Sequence, residues 1–194
     1  GMEAAVKKAA AAGTVIFGIC GGYQMLGETL SDPDGVEAGG TIPGMGLLPM
    51  ETVFTKQKTR TRVDGTFCQV GGKLSGLSGM PLEGYEIHMG QTVRKDGLQA
   101  LTEICDTVAG ASKEDGAWRE QIYGSYVHGI FDREEAAKAL VTSLGAAKGV
   151  DMSEADAVDF RAFNETQYDL LADALREHLD MEKIYRILEE GVEM

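Results

Sequence analysis

Cations are scarce in this sequence. Its 194 residues carry 18 Lys and Arg against 31 Asp and Glu, a net charge of −13. Nucleic acid and anionic membranes are bound through basic patches, so neither is expected as a partner. Long apolar runs are missing too. Nothing approaches the roughly 20 residues that cross a bilayer, and Gly1-Met2-Glu3-Ala4-Ala5-Val6-Lys7-Lys8 has no apolar secretory stretch. A cytoplasmic protein is expected. The cysteines, Cys20, Cys68 and Cys105, are three and widely spaced. They suit neither a disulfide framework nor a Cys-x-x-Cys zinc site. The three histidines, His88, His128 and His178, are too dispersed for a metal centre, and none is expected. Internal repeats and low-complexity linkers are absent.

What is present reads as one α/β domain over residues 1–194. Residues 2–12 are alanine-rich and helical, with Gly13 suited to the left-handed position that ends a helix. Thr14-Val15-Ile16-Phe17 reads as a buried parallel strand. A helix is expected from Gly21 to Leu30 with Met25 and Leu26 inward, followed by a Gly/Pro/Asp-rich loop over 31–46. Strands are expected at Leu47–Thr55, Lys58–Val63, Tyr85–Arg94 and Gln121–Val127, with loops at 71–81 and 106–117. In Tyr85-Glu86-Ile87-His88-Met89, alternation puts Tyr85, Ile87 and Met89 on one face and Glu86 and His88 on the other. Asp132-Arg133-Glu134-Glu135 has the form of a capping box, and Ser153 that of a further helix start. Phe160, Phe163, Gln167, Leu171 and Leu175, then Met181, Ile184, Tyr185 and Leu188, give amphipathic helices.

The segment Val15-Ile16-Phe17-Gly18-Ile19-Cys20-Gly21-Gly22-Tyr23-Gln24 carries the chemistry. It has the order strand, Gly-x-Cys-x-Gly, helix, the cysteine counterpart of a nucleophile elbow. The strained turn needs small neighbours and pushes the sulfur out to where a carbonyl carbon can reach it. The helix that follows turns its N-terminal N–H groups toward the sulfur, which favours the thiolate. The Gly21 N–H is a natural oxyanion donor. Cys68 and Cys105 have no such setting.

A thiolate nucleophile needs a proton carrier, most often histidine. His178 lies on an amphipathic helix and faces solvent. His88 sits within a strand beside Glu86. His128 ends the strand 121–127 in Tyr126-Val127-His128-Gly129-Ile130-Phe131-Asp132, at the sheet edge where α/β folds place their chemistry. His128 is therefore the expected base. Glu86 and Asp132 are candidates for orienting it, although a Cys–His dyad without a carboxylate fits equally.

Gly18-Ile19-Cys20-Gly21-Gly22-Tyr23-Gln24-Met25-Leu26-Gly27 resembles the nucleophile segment of triad-type, class I glutamine amidotransferases. It is similar in particular to the branch found in cobyric acid synthases and cobyrinic acid a,c-diamide synthases. Gly44–Thr52, Lys58-Thr59-Arg60-Thr61, Glu83–Gly90, Gly124–Asp132 and Gln167–Asp173 resemble the cobyric acid synthase family. The resemblance implies a flavodoxin-like, three-layer α/β glutaminase domain that hydrolyses glutamine through a cysteinyl thioester. By position, Cys20 is the nucleophile, His128 the base and Gly21 an oxyanion donor. Gly21, Gln24, Glu86 and His88 are expected to line the substrate site. Ammonia then passes to a synthetase domain that uses ATP and magnesium to amidate corrin carboxylates in cobalamin biosynthesis.

Two departures from the pattern stand out. The Glu that most class I members carry two residues after the histidine is Ile130 here. No Gly-x-x-x-x-Gly-Lys-Ser/Thr phosphate loop occurs, so no cofactor is expected in this chain; ATP and magnesium belong to a synthetase domain that it lacks. The first strands of the glutaminase sheet are expected to be missing as well, giving a partial domain. Its exposed edge would pair with an upstream synthetase domain or chain, or with a second copy in a homodimer. Two alternatives are a related amidotransferase acting on cobyrinic acid or a peptidoglycan precursor, and an inert fragment serving as a binding module.

Overall fold

The computed structural model describes residues 1–95, 97–152, 154 and 160–191. The chain forms two compact units, Gly1–Ala157 and Val158–Met194. The first holds α1 (Met2–Ala11), β1 (Ile16–Ile19), α2 (Gly21–Leu26), β2 (Thr29–Asp32), β3 (Gly40–Pro43), β4 (Met50–Phe67), β5 (Pro81–Arg94), β6 (Thr102–Asp106), β7 (Ser112–Asp115), β8 (Ala117–Arg119), β9 (Ile122–Ser125) and α3 (Glu134–Ala147). The second holds α4 (Phe160–His178) and α5 (Met181–Glu190). The fold is mixed α/β, as expected for a class I glutamine amidotransferase.

Two sheets build the first unit. The smaller runs β1-β9-β8 and the larger β3-β2-β4-β6-β7, with β5 also paired to β4. β1 and β9 are parallel, in register from Ile16 with Ile122 to Ile19 with Ser125. The strand read from Thr14-Val15-Ile16-Phe17 is parallel as expected, but it starts at Ile16 and is only partly buried. Its pairing to β9 brings the two chain segments that carry Cys20 and His128 side by side. Gly13, at φ 71°, ends α1 as expected.

Several elements differ from expectation. The two strands foreseen at 47–55 and 58–63 are one, β4, with an irregularity between Phe54 and Thr59 where its pairing to β5 shifts. β2 and β3 lie in the stretch expected to be loop or helix. Asp32 accepts N–H groups from Val36, Glu37 and Gly39 at 2.8, 2.8 and 2.9 Å, so the chain doubles back on a side-chain clasp and the flanks pair. Every β3 residue is exposed, which leaves no alternation to read. α2 ends at Leu26; Leu26 is buried, but Met25 is 48% exposed and not inward. The supposed loop at 71–81 contains a 3-10 turn, Gly72–Leu77, that buries Leu74 and Leu77. The one at 106–117 contains β7 and the start of β8.

α3 starts where expected, but Arg133 is its N-cap and no side chain caps it, so the capping box does not form. Ser153 lies outside the described residues. In the second unit, Asp180 caps α5 by accepting the Lys183 N–H at 3.0 Å.

Two apolar clusters form the core. One gathers Val63, Phe67, Leu74, Leu77, Leu101, Ile104, Tyr123, Val127 and Ile130 between β4, β6, β9 and the 3-10 turn. The other packs Tyr23 and Leu26 of α2 on Leu48, Met50, Ile122 and Tyr126. Each buried Leu or Ile contributes about 1.5–3 kcal/mol. The second cluster is what fixes α2, and so the turn before it, onto β9.

Candidate active site

Cys20 sits between β1 and α2 with φ 53° and ψ −115°, in the left-handed region that residues with a side chain rarely adopt. Such backbone strain costs roughly 1–3 kcal/mol and persists only where surrounding contacts hold it. Those contacts are present. The Cys20 N–H donates to the Ser125 carbonyl at 2.9 Å, extending the β1–β9 ladder by one bond. The thiol faces the Ile87 carbonyl of β5, with Sγ 3.7 Å from the oxygen. A Cβ on Gly18 would lie 2.8 Å from the Gly22 backbone and the Leu26 side chain, so only glycine lets α2 fold back so closely on β1.

Gly21 and Gly22 play a different part from the one expected. A Cβ at either would meet nothing within 4 Å, and the positive φ falls on Cys20 itself. Neither glycine is needed for the bend.

His128 follows β9 and forms an isolated bridge with Tyr85 of β5: its N–H donates to the Tyr85 carbonyl at 2.8 Å, and the Tyr85 N–H donates back at 3.1 Å. The two rings stack, with centroids 4.9 Å apart and planes 7° from parallel. A Cβ on Gly84 would run into the His128 carbonyl, so that glycine permits the close approach. His128 Nε2 is buried and has no hydrogen-bond partner among the described residues. Cys20 and His128 make no direct hydrogen bond. They are brought together through β5, where their contact points, Ile87 and Tyr85, lie two residues or roughly 7 Å apart along the strand.

Neither carboxylate proposed to orient His128 bonds to it. Glu86, only 1% exposed, accepts from His88 Nε2 at 3.3 Å and forms an ion pair with Lys113 at 2.9 Å. Burial pushes the Glu86 carboxyl up, but the His88 and Lys113 bonds outweigh it and hold the carboxyl below the usual carboxylate range. Burial, with Glu83 nearby, pushes the Asp132 carboxyl up. Ile130, at the position of the family's usual Glu, is buried in the core.

His88 and Gln24 are bonded within a polar cluster around Tyr126. His88 Nδ1 is 2.8 Å from the Gly90 carbonyl oxygen, so both ring nitrogens face acceptors. The ring stacks on Tyr126 at 3.7 Å. Gln24 is buried and donates from Nε2 to the Tyr126 hydroxyl at 3.2 Å, while Thr92 Oγ1 lies 2.6 Å from that hydroxyl. This polar cluster holds the inward face of β5 against α2 and β9. Of the four residues expected to line the substrate site, Gly21 is exposed next to Cys20, Gln24 and Glu86 are buried, and His88 is half-buried. His178 is exposed on α4, with Nδ1 2.9 Å from the Ala174 carbonyl oxygen.

Sequence reasoning missed three features. Tyr85 backs the base. Lys58, Arg60 and Arg62 alternate along β4 and are all exposed, and they have no acidic partner among the described residues. Arg60 pairs with Ile87 and Arg62 with Tyr85, so this cationic row flanks the strand that touches both Cys20 and His128. The signal was legible as Lys-x-Arg-x-Arg at strand spacing in an otherwise acidic chain. The third is Asp115, a buried acid in a stretch read as loop.

Residues 1–136 match the model of a CobB/CobQ-like glutamine amidotransferase domain. The chain belongs to that family. Relatives are cobyric acid synthases: that of Ruminiclostridium cellulolyticum is 50% identical over 195 residues, 100% of this chain and 38% of the relative. That of Lachnoclostridium phytofermentans is 47% identical over 99% of this chain and 39% of its own, and that of Salmonella agona 40% identical over 100% and 38%. The chain thus spans well under half the length of these relatives. Two solved glutamine amidotransferases, one from Thermotoga maritima, align with TM-scores of 0.44 and 0.43 at 14% and 12% identity. They cover 75% and 77% of this chain and 69% and 56% of theirs.

Proposed function

We propose that this chain is the glutamine-hydrolysing part of a cobyric acid synthase. Cys20 Sγ attacks the carboxamide carbon of glutamine while His128 takes the thiol proton. The oxyanion is met by the Gly21 N–H. Collapse breaks the C–N bond, His128 returns the proton to the leaving nitrogen, and ammonia departs from a γ-glutamyl thioester. Water then adds to the thioester, releasing glutamate and the free thiol. No carboxylate among the described residues bonds to His128, so the pair works as a dyad.

The observation that carries this reading is the strained Cys20 turn. Its sulfur lies against the same short piece of β5 on which His128 is stacked, and the buried Nε2 of that ring has no hydrogen-bond partner among the described residues. Arg60 and Arg62 would hold the α-carboxylate of glutamine. Glu86, His88 and Gln24 support the wall from behind. The ammonia would serve ATP- and magnesium-dependent amidation of corrin carboxylates in the part of the relatives that lies outside this span.

A second reading, an inert binding module, draws on the missing Cys20–His128 hydrogen bond. Treatment with the glutamine-analogue electrophile diazo-oxo-norleucine separates the two. A live site gains one adduct by intact mass, and Cys20→Ala gains none. An unlabelled wild-type chain would favour the binding module.

A further inference from the structure

We infer that Asp115 is a positioning residue that sets Cys20 and His128 relative to one another, an inference that rests on the glutaminase reading above. Asp115 ends β7 in the larger sheet and is only 4% exposed. Its carboxylate reaches across to the end of β9 in the smaller sheet. It accepts from Ser125 Oγ at 2.5 Å and from the Tyr126 N–H at 3.2 and 3.4 Å. Ser125 Oγ in turn accepts the Val127 N–H at 3.0 Å, and the Ser125 carbonyl accepts the Cys20 N–H at 2.9 Å.

One carboxylate therefore organises three consecutive residues. The first of them holds the nucleophile's backbone, and the last precedes His128. Gly116, next in the chain at φ 68°, admits no Cβ because the Gly124 carbonyl occupies that space, so the β7–β8 corner is fitted directly against β9.

A buried carboxylate is costly unless its acceptors are filled. Burial, with Glu86 nearby, pushes the Asp115 carboxyl up, opposed by the Ser125 and Tyr126 bonds. An apolar side chain would fill this volume without that cost. What it would not supply is a joint between the two sheets fixed in direction as well as distance. After Ser125 the regular ladder ends, and the chain must turn from β9 to meet Tyr85 at His128. The Asp115 bonds specify that turn, through Ser125 and the Tyr126 and Val127 amides.

The test compares wild type with Asp115→Asn and Ser125→Ala, each checked for a cooperative thermal melt. Two quantities are measured: amide hydrogen exchange at Cys20, Tyr126 and Val127, and steady-state ammonia release from glutamine. The expected result is exchange at those amides faster by at least tenfold in both variants, without a matching rise across β4. It is joined by a tenfold or larger fall in kcat with KM within about twofold. Such a split marks lost alignment of the reacting groups, whereas partial unfolding lowers the amount of active protein and accelerates exchange everywhere.

Unchanged exchange at the three amides overturns the inference whatever the activity. So does faster exchange with wild-type kcat. Faster exchange confined to these amides in a chain whose wild type releases no ammonia supports the clamp and overturns the glutaminase reading alone.

Discussion

Cys20 is the only residue other than glycine and Glu120 with positive φ among the described residues, and its strain is held by one backbone bond to Ser125 and by the fit of Gly18 under α2. The fit of Gly18 was legible in Gly-x-Cys-x-Gly, and His128 was reachable by eliminating the two other histidines. The supporting residues were not, because Tyr85, Asp115 and Ser125 act through pairings that connect distant parts of the chain. Arg60 belongs to this scale as well. If it holds the substrate α-carboxylate, Arg60→Ala removes a charge-assisted bond worth roughly 1.5–3 kcal/mol. KM for glutamine should then rise about 10–100-fold with kcat little changed, since the bond is made equally in the ground and transition states. A fall in kcat at constant KM would place Arg60 elsewhere.

β5 is the element on which the site depends, and its two faces divide the work. The outward face presents Tyr85 and Ile87 beside the cationic row of β4. The inward face buries Glu86 and His88 against Tyr126. Alternation was legible; which face lay inward was not, because the buried face is the charged one and hydrophobicity points the wrong way. β2, β3, β7 and β8 escaped notice for a related reason. They are short, and turn chemistry and edge pairing form them more than apolar periodicity does.

The Glu86 pairs give this element a pH dependence. Its carboxyl titrates lower in the folded chain than in the unfolded one. The stability it confers is complete above the ordinary carboxyl range and is lost as pH falls through the folded value. Unfolding free energy from denaturant titration should therefore drop between about pH 5 and pH 3. Glu86→Gln should be less stable at neutral pH and flatter across that window. An equally steep variant would show that other carboxylates carry the effect.

At the scale of the whole molecule, β1 is paired to β9 on one side only among the described residues, and the relatives extend well beyond this span. An unpaired strand edge is a template for another chain. We expect β1 to pair either with a second copy or with the remainder of a cobyric acid synthase. Light scattering after size exclusion should show self-association that rises with concentration and disappears when that remainder is supplied; a clean monomer at high concentration would argue against the edge.

Among the described residues no helix is long and apolar enough to cross a membrane.

Ammonia release from glutamine by the chain, set against Cys20→Ala and His128→Ala, bears most directly on the Cys20–His128 dyad. Loss of the nucleophile should abolish release, and loss of the base should lower kcat by roughly 10²–10⁴-fold with the fold intact. Release that persists in Cys20→Ala, or that is unaffected by His128→Ala, would contradict it.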